Sequence, residues 1–207
     1  MSLRALNWSL VAVVTLDSFG YAALAKTESE CLVGIELGNE LIKKSPSDYR
    51  GYASRGCSYE YLKKYELAER DILKALSLKP DEKGLYSHLA VIYLQTGRAN
   101  DAISASRKVI ELGDKSKEAY NAELGALSAA KQYSECIKRS DEVLKIYPEN
   151  GVAYYYRAIY RDKLGLASKS DVLDDLTQAR AFMPGDRVIE EEYRSFKSSL
   201  NGNRSHP

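Results

Sequence analysis

The side chains able to do chemistry in this 207-residue chain are few and scattered. There are two histidines, His88 and His206, and three cysteines, Cys31, Cys57 and Cys136. Metal hydrolysis needs histidines paired on one helix face, and phosphate chemistry needs a glycine-rich loop ahead of Lys and Ser or Thr. Neither pattern occurs, and there is no Cys-x-x-Cys. His88 alone reads as a polar surface or groove residue rather than a base. We therefore expect no catalytic residue, no metal ligand and no cofactor, and a chain that binds rather than catalyses.

The elements that position these residues are legible from a period. Tyr52, Tyr86, Tyr120 and Tyr154 recur every 34 residues, each followed four residues later by Gly56, Ala90, Leu124 or Ala158. Ala68, Ala102 and Cys136 keep the same spacing, as do Ala75, Val109 and Val143. A self-similarity of this length marks a solenoid of two-helix units, in which no unit can bury its apolar face alone and neighbours must share a core. The units run 49–82, 83–116, 117–150 and 151–186. Lys63-Lys64-Tyr65, Thr96-Gly97-Arg98, Lys131-Gln132-Tyr133 and Leu164-Gly165 break each into two helices, with glycine free to take the left-handed turn. Two extra residues near Ala167–Ser170 keep the fourth unit in phase.

Thr27 with Glu30 forms a capping-box pattern opening a helix within 26–45, which aligns with the second helix of a repeat and caps the N-terminal end. Asp186 is placed to cap a last amphipathic helix, 187–200, carrying Ile189, Tyr193, Phe196 and Leu200, and 201–207 reads as a disordered tail. The N-terminus differs in kind. Arg4, the apolar run Leu10–Leu16 and the small-residue pattern Ala23-Leu24-Ala25 read as a signal peptide cleaved after Ala25. The expected location is exported, periplasmic or secreted, with no integral membrane segment once the signal is removed. Lys+Arg 30 against Asp+Glu 29 leaves +1 with no basic run, so nucleic acid is not an expected partner.

Export permits disulfides. Cys136 holds a small-residue position and reads as buried. Cys31 and Cys57 fall on successive antiparallel helices with an axial offset of roughly 6 Å at about 1.5 Å per residue. Both a bridge between them and free thiols stay open. A second pattern concerns charge. The seventh residue of the units reads Arg55, Leu89, Glu123, Arg157, and the twenty-third reads Asp71, Ala105, Arg139, Asp175. The two positions change together, which suggests that they face one another across each helix pair.

The phased tyrosines, small residues and prolines (Tyr52, Gly56, Tyr59, Ala68, Ala75 and Pro80; then Tyr86, Ala90, Tyr93, Gly97 and Ala102) resemble the tetratricopeptide repeat. The resemblance covers about residues 28–186 and departs at Leu124 and Leu127 in the third unit. It implies an all-α, right-handed solenoid whose first helices line a concave groove that holds a protein or peptide partner. On that ground the partner-binding residues are Arg50, Glu60, Tyr61, His88, Val91, Gln95, Asn121, Tyr155 and Tyr156. Members that bind chaperone tails hold a carboxylate with Lys, Asn and Arg. Here those places carry Ala53, Cys57, His88, Glu118 and Ala122, so that ligand is set aside. Self-association through the array ends, giving a homo-oligomer, is the second reading.

Overall fold

The computed structural model describes residues 27–202. The signal-peptide reading and the last five residues of the tail lie outside them. Among the described residues there are ten helices and no strand: α1 (Glu28–Lys44), α2 (Tyr49–Tyr61), α3 (Tyr65–Leu78), α4 (Lys83–Gln95), α5 (Ala99–Glu111), α6 (Lys117–Ala129), α7 (Tyr133–Ile146), α8 (Gly151–Leu164), α9 (Lys169–Phe182) and α10 (Arg187–Gly202). They fall into two compact units, one ending at Ala126 and the other beginning at Leu127, with the boundary inside α6.

The helix boundaries follow from local chemistry. The Thr27 hydroxyl accepts from the Glu30 amide at 3.2 Å while the Glu30 carboxylate accepts from the Thr27 amide at 2.6 Å, so the capping box opens α1. Asp186 Oδ1 accepts from the amides of Val188 and Ile189 at 2.9 and 3.0 Å and opens α10, which continues two residues past its expected end. A second capping box, Ser168 with Asp171, starts α9 just after the inserted residues.

The turn inside each helix pair repeats as faithfully as the core does. Lys63, Gly97, Lys131 and Gly165 all take positive φ, at 57°, 76°, 58° and 65°. After each, an amide reaches back to close the preceding helix: Lys64 to Tyr59, Arg98 to Tyr93, Gln132 to Leu127 and Leu166 to Arg161, at 2.7–3.0 Å. This is a Schellman closure, which satisfies carbonyls that the helix end would leave bare. Two of the four left-handed positions carry lysine in place of the residue that favours that conformation.

In the first unit α1 packs on α2, α2 on α3, α3 on α4 and α4 on α5. The small residues allow this. Ala68, Ala75 and Ala102 are fully buried, and a Cβ added at Gly56 would lie 2.8 Å from Ile72. In the second unit α7 packs on α8, α8 on α9 and α9 on α10. Cys136, Val143, Ala158 and Ala179 have no exposed surface, and Ile189 and Phe196 bury the inner face of α10.

Candidate functional site

The seventh residue of the units ties helices together. The Arg55 guanidinium donates from Nε and Nη2 to the two Asp71 oxygens at 2.6 and 2.9 Å, and Arg157 grips Asp175 the same way at 2.8 and 2.6 Å. At the equivalent places in the second repeat Leu89 and Ala105 are both buried. These are the pairings expected from the covarying charges. Glu123 and Arg139 belong to different compact units, and their coupling stays an expectation.

A partner on the other side was not visible in the sequence. Arg55 also donates to the Asn39 side chain at 2.7 Å, Arg157 to Asp141 at 2.8 Å, and Glu123 accepts from Arg107 at 2.8 Å, each partner lying sixteen residues earlier. One side chain therefore bridges the second helix before it and, where the pair is Arg with Asp, the second helix after it. The Asp71 hydrogen bond is the main reason the Arg55 pKa is raised, and Asp175 does the same for Arg157. These charges are structural, and they leave the first helices' remaining face for other uses.

That face, in the first unit, brings together Glu60, Tyr61, His88, Val91 and Gln95. Glu60 and His88 sit on α2 and α4, with Nδ1 of the imidazole 2.5 Å from the carboxylate. Burial draws the His88 pKa down, and contacts with Cys57 and Glu60 outweigh it, holding the ring well above its ordinary value. Tyr61 closes α2 with 40% of its surface exposed, Gln95 ends α4 exposed, and Val91 is half-buried. Arg50 is exposed at the start of α2, where it donates to Asp48, the residue that caps the helix. Beside Tyr61 lies an open depression of about 340 Å³ lined by Glu28, Cys31, Leu62 and Lys63.

The three other expected groove residues are placed differently. Asn121, Tyr155 and Tyr156 keep only 6%, 8% and 3% of their surface. For Tyr155 and Tyr156 the reason is aromatic packing in the second unit. Tyr156 stacks on Tyr160 with centroids 6.0 Å apart, Tyr160 stacks on Tyr133 at 4.6 Å, and the Tyr160 hydroxyl shares a 2.5 Å hydrogen bond with Ser128. Burial, followed by the negative charge of Glu192 on α10, pushes the Tyr155 hydroxyl pKa up. Aromatics at helical spacing pack when a closing helix covers them, and sequence spacing alone does not register that cover. No disulfide joins any of the three cysteines, with Cys31 and Cys136 buried and Cys57 half-buried. Among the described residues no cluster of His, Cys, Asp or Glu could hold a metal ion, and no helix is long and apolar enough to cross a membrane.

The sequence model of the tetratricopeptide repeat matches residues 49–82 and 84–112, the first two helix pairs. The chain is a tetratricopeptide-repeat protein. It is 32% identical over 101 residues to small glutamine-rich tetratricopeptide repeat-containing protein 2 of Saccharomyces cerevisiae. That match takes in 48% of this chain and 29% of the yeast protein, so the chain spans under a third of that relative's length. Among solved structures, YrrB, described as a TPR protein with an unusual peptide-binding site, superposes with a TM-score of 0.69 at 16% identity, over 80% of this chain and 84% of its own. MamA gives 0.67 at 16% identity over 75% of this chain and 90% of its own. At such identities the likeness is one of fold. Tetratricopeptide repeats as a family mediate protein–protein interaction.

Proposed function

We propose that this chain is a non-catalytic scaffold that holds an extended peptide or a partner subunit along the first-helix face of its first unit. One observation carries the reading: Glu60, Tyr61, His88, Val91 and Gln95 stay wholly or partly accessible on that face, while the neighbouring packing positions are buried. The surface offers an apolar and aromatic contact beside one charged pair, which suits a peptide with an apolar anchor flanked by polar groups. The peptide-binding site ascribed to YrrB supports the same mode. Export to the periplasm or cell exterior belongs to the proposal too. It is supported by Leu10–Leu16 and Ala23-Leu24-Ala25, and intact-mass analysis of protein from the producing cell should show a chain starting at Lys26. Retention of Met1–Ala25 would refute export by this route.

Selection of a random peptide library on the purified chain, followed by fluorescence anisotropy of a selected peptide, tests the binding mode. Val91→Arg and Tyr61→Ala are expected to weaken binding at least tenfold, since a central anchor typically carries about 2 kcal/mol or more. Lys145→Ala, on the exposed side of α7, should leave affinity unchanged. Wild-type affinity in both groove variants, with a loss at Lys145, would place the site elsewhere.

A second reading, self-association, is favoured by α1. Leu32, Val33, Leu37 and Leu41 are 41–54% exposed there, and Val33, Leu37 and Leu41 recur every four residues as a stripe. Sedimentation equilibrium separates the readings: a dimer that Leu37→Glu dissolves would support association through this end.

A further inference from the structure

α1 leaves open a face that both other second helices of the first unit bury. By the 34-residue phase, Leu37 and Leu41 of α1 hold the places of Asp71 and Ala75 on α3 and of Ala105 and Val109 on α5. Those four residues keep at most 5% of their surface, whereas Leu37 and Leu41 keep 54% and 41%. On α3 the cover is the first helix of its own pair. Asp71 is gripped by Arg55 of α2, and the Lys74 ammonium lies 5.9 Å from the centre of the Tyr52 ring on that same helix. In the other pairs of this unit the chain passes from first helix to second through a left-handed residue, Lys63 or Gly97. The residue in that phase here is Ser29, which lies within the first turn of α1 behind the capping box at Thr27. The chain therefore enters α1 without the turn that folds a first helix back onto its second.

The open face also specifies the chemistry of a cover. At the two facing positions of a pair Arg55 answers Asp71 and Leu89 answers Ala105, so an apolar residue answers Leu37. Glu40 has the phase of Lys74, the residue that reaches the covering helix on α3. Its carboxylate meets Lys44 at 3.5 Å with both side chains at least 67% exposed, a contact weak enough to exchange. Glu36, one turn earlier, is exposed too. An acidic edge beside an apolar stripe matches a basic edge on the partner. A second copy of α1 brings the same Glu36 and Glu40, with Lys43 and Lys44 only in its last turn, and residues 5–25 of this chain contain no lysine or arginine.

The geometry points to the α1 stripe as a docking site for a basic amphipathic helix of another protein, running antiparallel to α1 with an apolar residue against Leu37 and a lysine or arginine against Glu40. That helix completes the pair that α1 begins, as α2 does for α3. The site stands on a second helix, apart from the first-helix face proposed to hold a peptide, so the two stand or fall separately. It competes with self-association for the same leucines, and the experiment separates those two.

The test uses the complete chain and two synthetic helical peptides of the 13-residue length of α2, labelled with fluorescein for anisotropy. Both carry leucine at every third or fourth position, and they differ only in whether lysine or glutamate lines the edge of that stripe. The lysine-edged peptide is expected to bind about tenfold more tightly than the other, and Leu37→Ser to weaken it about tenfold. Glu40→Lys should weaken the lysine-edged peptide and strengthen the glutamate-edged one, narrowing the preference at least about threefold. Val91→Arg, in the first-helix groove, should leave both affinities unchanged. Circular dichroism checks each variant, and if one fails to fold the others and the comparison of peptides decide. No binding of the lysine-edged peptide, affinities for the two peptides within twofold, wild-type affinity in folded Leu37→Ser, or an equal loss in Val91→Arg would overturn the assignment. So would a dimer of the chain alone in sedimentation equilibrium that Leu37→Ser dissociates and the lysine-edged peptide does not, which gives the stripe to a second copy.

Discussion

Replacing Arg55 and Asp71 together should cost far less stability than the two single replacements summed, because the chain already contains the answer in its second repeat. The Asp71 side chain is 3% exposed and Arg55 17%, and they meet through two hydrogen bonds. Arg55→Leu leaves a buried carboxylate whose remaining cation, Arg70 Nε, lies 3.7 Å away on a largely exposed side chain. Breaking a buried pair from that side typically costs about 3–5 kcal/mol. Asp71→Ala leaves an arginine that keeps Asn39 and can turn toward water. The loss there should be nearer 2 kcal/mol, about that of one charge-assisted hydrogen bond. The double variant reproduces Leu89 facing Ala105, an apolar solution that the same fold accommodates one repeat later. It should lose only about 1–2 kcal/mol against about 5–7 kcal/mol for the two single losses summed, a coupling of about 3–6 kcal/mol between the two sites. Urea unfolding of the four proteins, followed by circular dichroism and fitted with a common slope, measures each step. Additive losses within about 0.5 kcal/mol would refute the argument that these positions act as one unit.

Other consequences are equally direct. Ala102 is fully buried at a close helix contact, so Ala102→Phe should lower stability by about 1–3 kcal/mol, and an unchanged melting temperature would show that the contact has room for a ring. Lys63 and Lys131 hold positive φ. The left-handed conformation costs a non-glycine residue about 1–2 kcal/mol, and glycine's extra freedom when unfolded offsets about 0.4–1 kcal/mol of that; Lys63→Gly should therefore stabilise by about 0.5–1 kcal/mol in the same urea assay, and a loss would mean the lysine makes a compensating contact. A cycle of Glu123→Ala and Arg139→Ala should give a coupling of about 0.5–3 kcal/mol, and additivity would make their covariation coincidental. The raised pKa of His88 means that the folded chain holds this proton more tightly than the unfolded one. Its contribution is complete below about pH 6.5 and is lost as pH rises through the folded value, so wild type should lose stability relative to His88→Gln over that range; a flat difference would show that His88 titrates alike in both states.

Much of the molecule was decided by residues acting locally or in strict period. The 34-residue recurrence set the helix pairs because burying one face per turn requires small residues at the same phase in each repeat, as Ala68, Ala102 and Cys136 show. The boundaries at Thr27 and Asp186 were visible because a cap is made within three residues of itself. Arg55 with Asp71 and Arg157 with Asp175 could be paired because a charge at one repeat position answered a charge at another. The contacts that only the folded chain settled run from one repeat to another. Asn39, Arg107 and Asp141 share one phase of the repeat and each meets a seventh-position side chain from the preceding second helix, so their complementarity runs from one repeat to the next. His88 finds Glu60 across 28 residues of chain, with no repetition to announce it. Tyr155 and Tyr156 occupy groove positions by number and lie buried among aromatic neighbours in fact, because exposure depends on what covers a helix and not on where a residue falls along it.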